Sequence, residues 1–220
     1  MRKILKILFY IFTLCLFLST GTLSIFAESG ITGKVYEVID GDTFYLKYNK
    51  KLVKVRLLGI DAPESKSSKI YQNGKLGEKS AKYLSKILKN KKVKVKFDKQ
   101  KYDAYGRLLG YVYKGKTFIN ERQLKKGFAL TLFYEPNIKY KKKFIKLEKN
   151  AKDKAIGIWK GISFKKNRKN FKYIASKSSM KLHKLSCRYA KNIPAKNKIY
   201  FKNKDFAKAY KCILCKICLE

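Results

Sequence analysis

Two short stretches hold most of the residues that catalysis would need. One is Val38-Ile39-Asp40-Gly41-Asp42-Thr43; the other is Arg56-Leu57-Leu58-Gly59-Ile60-Asp61-Ala62-Pro63-Glu64. Acids are scarce, 15 Asp+Glu against 54 Lys+Arg, so the places where they gather are informative. Asp40 and Asp42 are two apart and share one side of an extended segment. Clustered carboxylates repel unless a cation sits among them, and oxygen-only donors suit a hard ion such as Ca²⁺ or Mg²⁺. Arg56 stands beside the cluster, and Arg107 follows the turn Asp103-Ala104-Tyr105-Gly106. In a chain that mostly uses lysine, an arginine at a turn suggests that its planar, bidentate fork is needed. Two arginines, a divalent cation and a carboxylate that orients water are the parts of phosphodiester hydrolysis. The bland alternative makes the acids turn residues and the arginines surface ion-pair partners.

A second constellation lies near the C-terminus. His183, the single histidine, stands four residues before Cys187, and Cys212-Ile-Leu-Cys215-Lys-Ile-Cys218 follows. Two cysteines separated by two residues chelate a tetrahedral metal, and His-x₃-Cys supplies the other pair. Three ligand sets fit: His183, Cys187, Cys215 and Cys218; the same pair with Cys212 and Cys215; or all four cysteines. Two disulfides are the competing reading in an oxidising compartment, although closely spaced cysteines pair awkwardly. The stretch between Cys15 and Cys187 has no cysteine, so the main domain must be stable without disulfides.

These residues need a frame. Strands are expected over 31–38, 43–48, 51–58, 92–98 and 107–113, from apolar alternation such as Val93/Val95/Phe97 against Lys92/Lys94/Lys96. A hairpin at Asn49-Lys50 brings the two acidic turns to the same end. Helices are expected over 75–90, 118–126 and 137–156, and 65–74 reads as a polar, mobile loop. The fold class is α+β, mainly β: a five-stranded OB-type barrel with three packed helices, a fold that presents one face and its loops to oligonucleotides. The expected organisation is an export signal over 1–27, the barrel domain over 30–160, a basic linker over 161–172 and a small Cys/His unit over 173–220.

The signal reading rests on Arg2, Lys3 and Lys6, a 12-residue apolar run over 7–18, and Ala27 as the last residue before cleavage. It implies a secreted or envelope protein, with membrane attachment if the signal stays uncleaved. The net charge of +39 favours polyanionic partners. AT-rich coding bias toward lysine accounts for the same composition.

Taken together, VIDGDTFYL (38–46), VRLLGIDAPES (55–65), GEKSAKYLSKIL (77–88), FDKQKYDAYGRLLGYVY (97–113), NERQLKKGFA (120–129), FYEPN (133–137) and GIW (157–159) resemble the staphylococcal nuclease family, in order and spacing. The resemblance implies a calcium-dependent endonuclease acting on DNA and RNA and leaving 3′-phosphate ends. It assigns Asp42, Asp61 and the carbonyl of Ala62 to calcium, and Arg56, Glu64 and Arg107 to catalysis. Glu64 stands next to the attacking water. Asp40 matches a nearby supporting acid, and Tyr105 and Tyr134 match the nucleotide pocket. Ala104 departs from the family, whose best-known member has a lysine there. The tail resembles the metal-binding fold of the Ada DNA-repair protein, which implies zinc on His183, Cys187, Cys215 and Cys218, with Cys212 as the alternative. A monomer is expected. A catalytically inactive nucleic-acid-binding barrel is the alternative function.

Overall fold

The computed structural model of the protein describes residues 30–65, 75–164 and 169–219. The expected signal over 1–27, nearly all of the 65–74 loop and part of the linker lie outside them.

The barrel is built from β1 (Gly30–Val38), β2 (Thr43–Tyr48) and β3 (Lys51–Leu57), followed by β5 (Lys92–Lys96) and β6 (Leu108–Lys114). Its strand order is β3-β2-β1-β5-β6, and a parallel β3–β6 pairing closes it, with Val55 opposite Leu108. Closure leaves no free edge among these five strands. Alternation drives it: Val35, Phe44, Leu46, Val55, Val93, Val95 and Val112 are essentially fully buried, while the lysines between them face water. The β2–β3 hairpin turns on Asn49 and Lys50, whose φ values of 46° and 61° give the mirror-image turn that matches strand twist. That turn fixes the register, and Thr43 lies opposite Arg56.

The short β4 (Ile60–Asp61) leaves β3 and pairs antiparallel with β8 (Leu130–Thr131). Between them come α1 (Lys75–Leu88), β7 (Thr117–Phe118) and α2 (Ile119–Lys125). α3 (Lys141–Asp153) is shorter than the 137–156 expected from periodicity. Asn137 is diverted, its side chain accepting from the Gln100 N–H at 2.8 Å and donating to the Gln100 carbonyl at 2.9 Å. At the far end Ala155 has φ 48°, which ends the helix. α3 fixes β8 through Glu148, which accepts from the N–H and the hydroxyl of Thr131, both at 2.8 Å.

The tail folds as a five-stranded sheet in the order β13-β11-β10-β12-β9. Its members are β9 (Ile162–Ser163), β10 (Tyr173–Ser176), β11 (Lys181–Lys184), β12 (Lys198–Phe201) and β13 (Ile213–Leu214), with helices α4 (Arg188–Lys191) and α5 (Lys204–Ala209). β9 falls where a linker was expected. Ile162 and Ser163 pair with Phe201 and Tyr200, because Ile162 is apolar enough to join the tail's core. That core also takes Ala151 from α3 and Ile158 and Trp159 from the turn over Gly157–Gly161. The tail therefore packs against the barrel unit. No helix among the described residues is long and apolar enough to cross a membrane.

Candidate active site

The turn between β1 and β2 carries Asp40 and Asp42. Gly41 makes this turn possible: a Cβ there would lie 1.9 Å from Ser80 Oγ and 2.6 Å from the Ala62 Cβ. The buried Gln123 side chain of α2 donates to the Gly41 carbonyl and holds the turn from below. Asp40 accepts from the Asp42 N–H at 3.0 Å. Asp42 is buried, and its carboxylate accepts from the Thr43 hydroxyl at 2.9 Å and from the Ala62 N–H.

Arg56, near the end of β3, joins the two acidic turns. Its Nη1 lies 2.9 Å from Asp42 Oδ2 and donates to the Ile60 carbonyl at 2.9 Å, and its Nη2 lies 3.1 Å from Asp61 Oδ1. Burial pushes the Asp42 acid up to about 7, with Arg56 pulling it back and Asp40 pushing further. The donors in reach are all oxygens, so the set suits a hard cation. Ala62 is buried directly behind Asp42.

Arg107 is held by a second device. The Asp103 carboxylate accepts from the Arg107 N–H at 2.9 Å and from its Nε at 2.7 Å. Burial opposes ionisation of Asp103, but these Arg107 hydrogen bonds and charge outweigh it and leave the acid below its ordinary range. The guanidinium centre also lies 5.3 Å from the centroid of the Tyr105 ring. With the guanidinium Nε engaged by Asp103, the Arg107 fork is oriented before any ligand arrives.

One cavity of about 660 Å³ gathers these groups: Asp40, Asp42, Arg56, Asp61, Glu64, Tyr105, Arg107 and Tyr134 all line it. Glu64 is exposed to this cavity, and Tyr105 and Tyr134 are 84% and 72% exposed, flat apolar surfaces free to meet a base. Ala62, the remaining expected site residue of the barrel, sits in the wall behind Asp42. Two contributors escaped the sequence reading. Asp103 had a signal, its i,i+4 spacing to Arg107 across a Gly turn. Lys211 had none: its Nζ reaches across from the tail to 3.3 Å from Asp61 Oδ2.

The tail holds the second constellation. His183 on β11, Cys187 before α4, and Cys215 and Cys218 after β13 bring their ligand atoms within 4.8 Å of one another. The barrel carboxylates form no such tight set among the described residues. Cys187 Sγ lies 3.4 Å from His183 Nδ1, and Cys218 Sγ accepts from the Lys184 N–H at 3.4 Å. Burial works against the Cys215 thiolate, but hydrogen bonds from the N–H groups of Ile217 and Cys218 outweigh it and hold the thiol below its ordinary value. Burial, with Lys181 assisting, keeps His183 below its ordinary value. An imidazole and three thiols in one closed cluster match a tetrahedral soft-ligand site. Cys212 is outside it: it lies buried in the tail core, and burial raises its thiol to about 12. All four are thiols in the structure, not disulfides.

The sequence profile described as Staphylococcal nuclease homologue matches residues 54–161. The thermonuclease of Staphylococcus hyicus is 38% identical over 129 residues, covering 58% of this chain and 75% of that protein. The chain belongs to the staphylococcal nuclease family. The thermonuclease of Staphylococcus intermedius is 35% identical over 137 residues, covering 60% of this chain and 80% of its own. Endonuclease YncB of Bacillus subtilis is 38% identical over 132 residues, 59% of this chain and 62% of the relative. The family match ends at 161, so the tail with its His/Cys cluster lies beyond it.

Proposed function

We propose that this protein is an exported, calcium-dependent endonuclease that hydrolyses phosphodiester bonds in DNA and RNA and leaves 3′-phosphate ends. The observation that carries this reading is the Arg56 guanidinium bridging Asp42 and Asp61 in a cavity that also receives Glu64, Arg107 and two exposed tyrosines. The family membership and the thermonuclease relatives support it.

In this reading Asp42 and Asp61, with the Ala62 carbonyl, hold the ion, and Asp40 steadies the turn. A bound calcium would supply positive charge for the non-bridging phosphate oxygens. Arg107, already oriented by Asp103, grips the phosphate, and Arg56 shares that work as it yields its hold on the two acids. Such cation clamps stabilise charge that grows in the transition state. Glu64, exposed to the cavity, orients the attacking water and takes its proton. Tyr105 and Tyr134 flank the nucleotide. The tail cluster of His183, Cys187, Cys215 and Cys218 holds zinc, for which donor type and closure are both right.

The decisive experiment uses protein lacking residues 1–27, incubated with DNA or RNA, with calcium or with a chelator. Calcium-stimulated cleavage with 3′-phosphate products is expected, and it falls steeply in Glu64→Ala and Arg107→Ala. Absence of cleavage, with binding retained, would leave a nucleic-acid-binding barrel instead. Elemental analysis is expected to return one zinc per chain.

A further inference from the structure

A second cleft, of about 650 Å³, runs along the seam where the tail meets the barrel, and it shares Asp61 and Leu132 with the catalytic cavity. Its cations come from both units: Lys149 and Lys152 on α3, and Lys211 on the tail. Lys149 is paired with Asp153 at 2.7 Å, and the Lys152 ammonium lies over the Phe164 ring, 3.4 Å from its centroid.

Lys211 is the unusual member. It follows α5 in a Schellman turn, in which its own N–H donates to the Lys208 carbonyl and the Cys212 N–H donates to the Ala207 carbonyl. Its φ is 62°. Glycine enters that region without steric cost and lysine does not. The lysine that stands there sends its ammonium across the seam to Asp61, with its side chain 31% exposed. Its backbone is anchored downstream, where β13 pairs with β11 and Cys215 joins the His/Cys cluster four residues later.

We propose that this cleft is a phosphate subsite for the nucleic-acid strand flanking the scissile bond, with Lys211 as its tail-borne contact; the proposal rests on the nuclease reading above. A strand that leaves the catalytic cavity past Asp61 enters the cleft directly, because Asp61 is the wall common to both. An ammonium has three donors, so contact with Asp61 and contact with a phosphate are compatible. The cleft's own acid, Glu148, is turned to Thr131. The tail is then part of the substrate track, and its fold sets where the strand runs.

The test measures binding of full-chain protein without its signal, with calcium removed by a calcium-selective chelator so that nothing is cut and the tail cluster keeps its metal. The probes are a labelled single strand of about twelve nucleotides, within the range of one such barrel, and a nucleoside 5′-phosphate. Lys211→Met is expected to weaken strand binding about threefold or more and to shrink the salt slope by about 0.7, one phosphate contact on a single strand. Lys211→Gly, which suits the backbone better, is expected to show the same loss with the tail's melting temperature held or raised. Lys211→Arg is expected to restore the slope. An unchanged slope in Lys211→Met overturns the proposal. So does an equal loss on the nucleotide, which would place Lys211 in support of Asp61 alone. Wild-type protein that binds but never cuts with calcium defeats the nuclease reading and leaves the subsite standing.

Discussion

The two constellations solve opposite problems. In the barrel, the carboxylate oxygens of Asp42 and Asp61 sit on separate turns with Arg56 between them, and the cavity stays open to solvent. In the tail, the His and Cys side-chain atoms meet within 4.8 Å in a cluster whose first three residues, His183, Cys187 and Cys215, are buried. A catalytic centre must leave room for substrate and for an ion that exchanges, so its acids are held apart and only partly neutralised. A structural metal needs neither, so its ligands converge and its site closes. On the proposed reading, the contrast assigns open geometry to chemistry and closed geometry to scaffolding.

The sharpest way to break that contrast is to remove charge from the open site. Arg107→Ala should lower the cleavage rate by about 10²–10³-fold, the usual cost of one transition-state donor, with the melting temperature unchanged. A rate loss matched by unfolding would mean that Arg107 is structural. Next, a thiophilic chelator, or Cys215→Ser, should melt the tail first, visible as lost amide-exchange protection over β10–β12, while calcium titration of the barrel is altered far less. Equal sensitivity of both sites to one chelator would erase the distinction.

A smaller effect is expected at the acid that orients Arg107. Asp103→Asn should cost about 1–2 kcal/mol of Arg107 ordering, read as a roughly tenfold fall in kcat/KM. The pH dependence follows from the depressed Asp103 acid. Its stabilisation is fully present above the unfolded value near 4 and fades only as pH falls through the lower folded value. The wild-type turn should therefore stay ordered under mild acid, and the Asn variant should lose that pH dependence. Smallest of all, Cys212→Ala should leave zinc content at one per chain, because Cys212 lies in the apolar core and its thiol is raised to about 12. Unfolding from the lost packing would show in the melting curve, separately from the metal count.

Much of the barrel site was legible before any coordinates. The Asn49-Lys50 turn sets the β2–β3 register, and the register brings Asp42, Arg56 and Asp61 to one end. Local alternation and one two-residue turn contain that information. Element edges were less legible. Periodicity over 137–156 ignored the two hydrogen bonds that the Asn137 side chain exchanges with the Gln100 backbone, one accepted and one donated, a partner far along the chain. The reading of 161–172 as linker missed β9, since two residues carry too little pattern to announce a strand.

The tail divides along the same line. Spacing alone allowed Cys212 or Cys218 to complete the cluster, and both choices satisfied tetrahedral chemistry. The parallel pairing of β13 with β11 decided it, carrying Cys215 and Cys218 toward His183 while Cys212 turned into the core. Lys211 was indistinguishable from every other lysine until the docked tail set it beside Asp61. By itself, then, the sequence determined the barrel, the kinds of donor in each site and their chemistry, because those follow from residue type and from spacings of two to four residues. Tertiary structure decided which cysteine is spared, how Arg56 stands between two acids, and that the tail reaches the active site. The first rests on the pairing of β11 with β13 and the second on how two turns fold against β3, while the last joins Asp61 to Lys211 across most of the chain, and no local pattern encodes it.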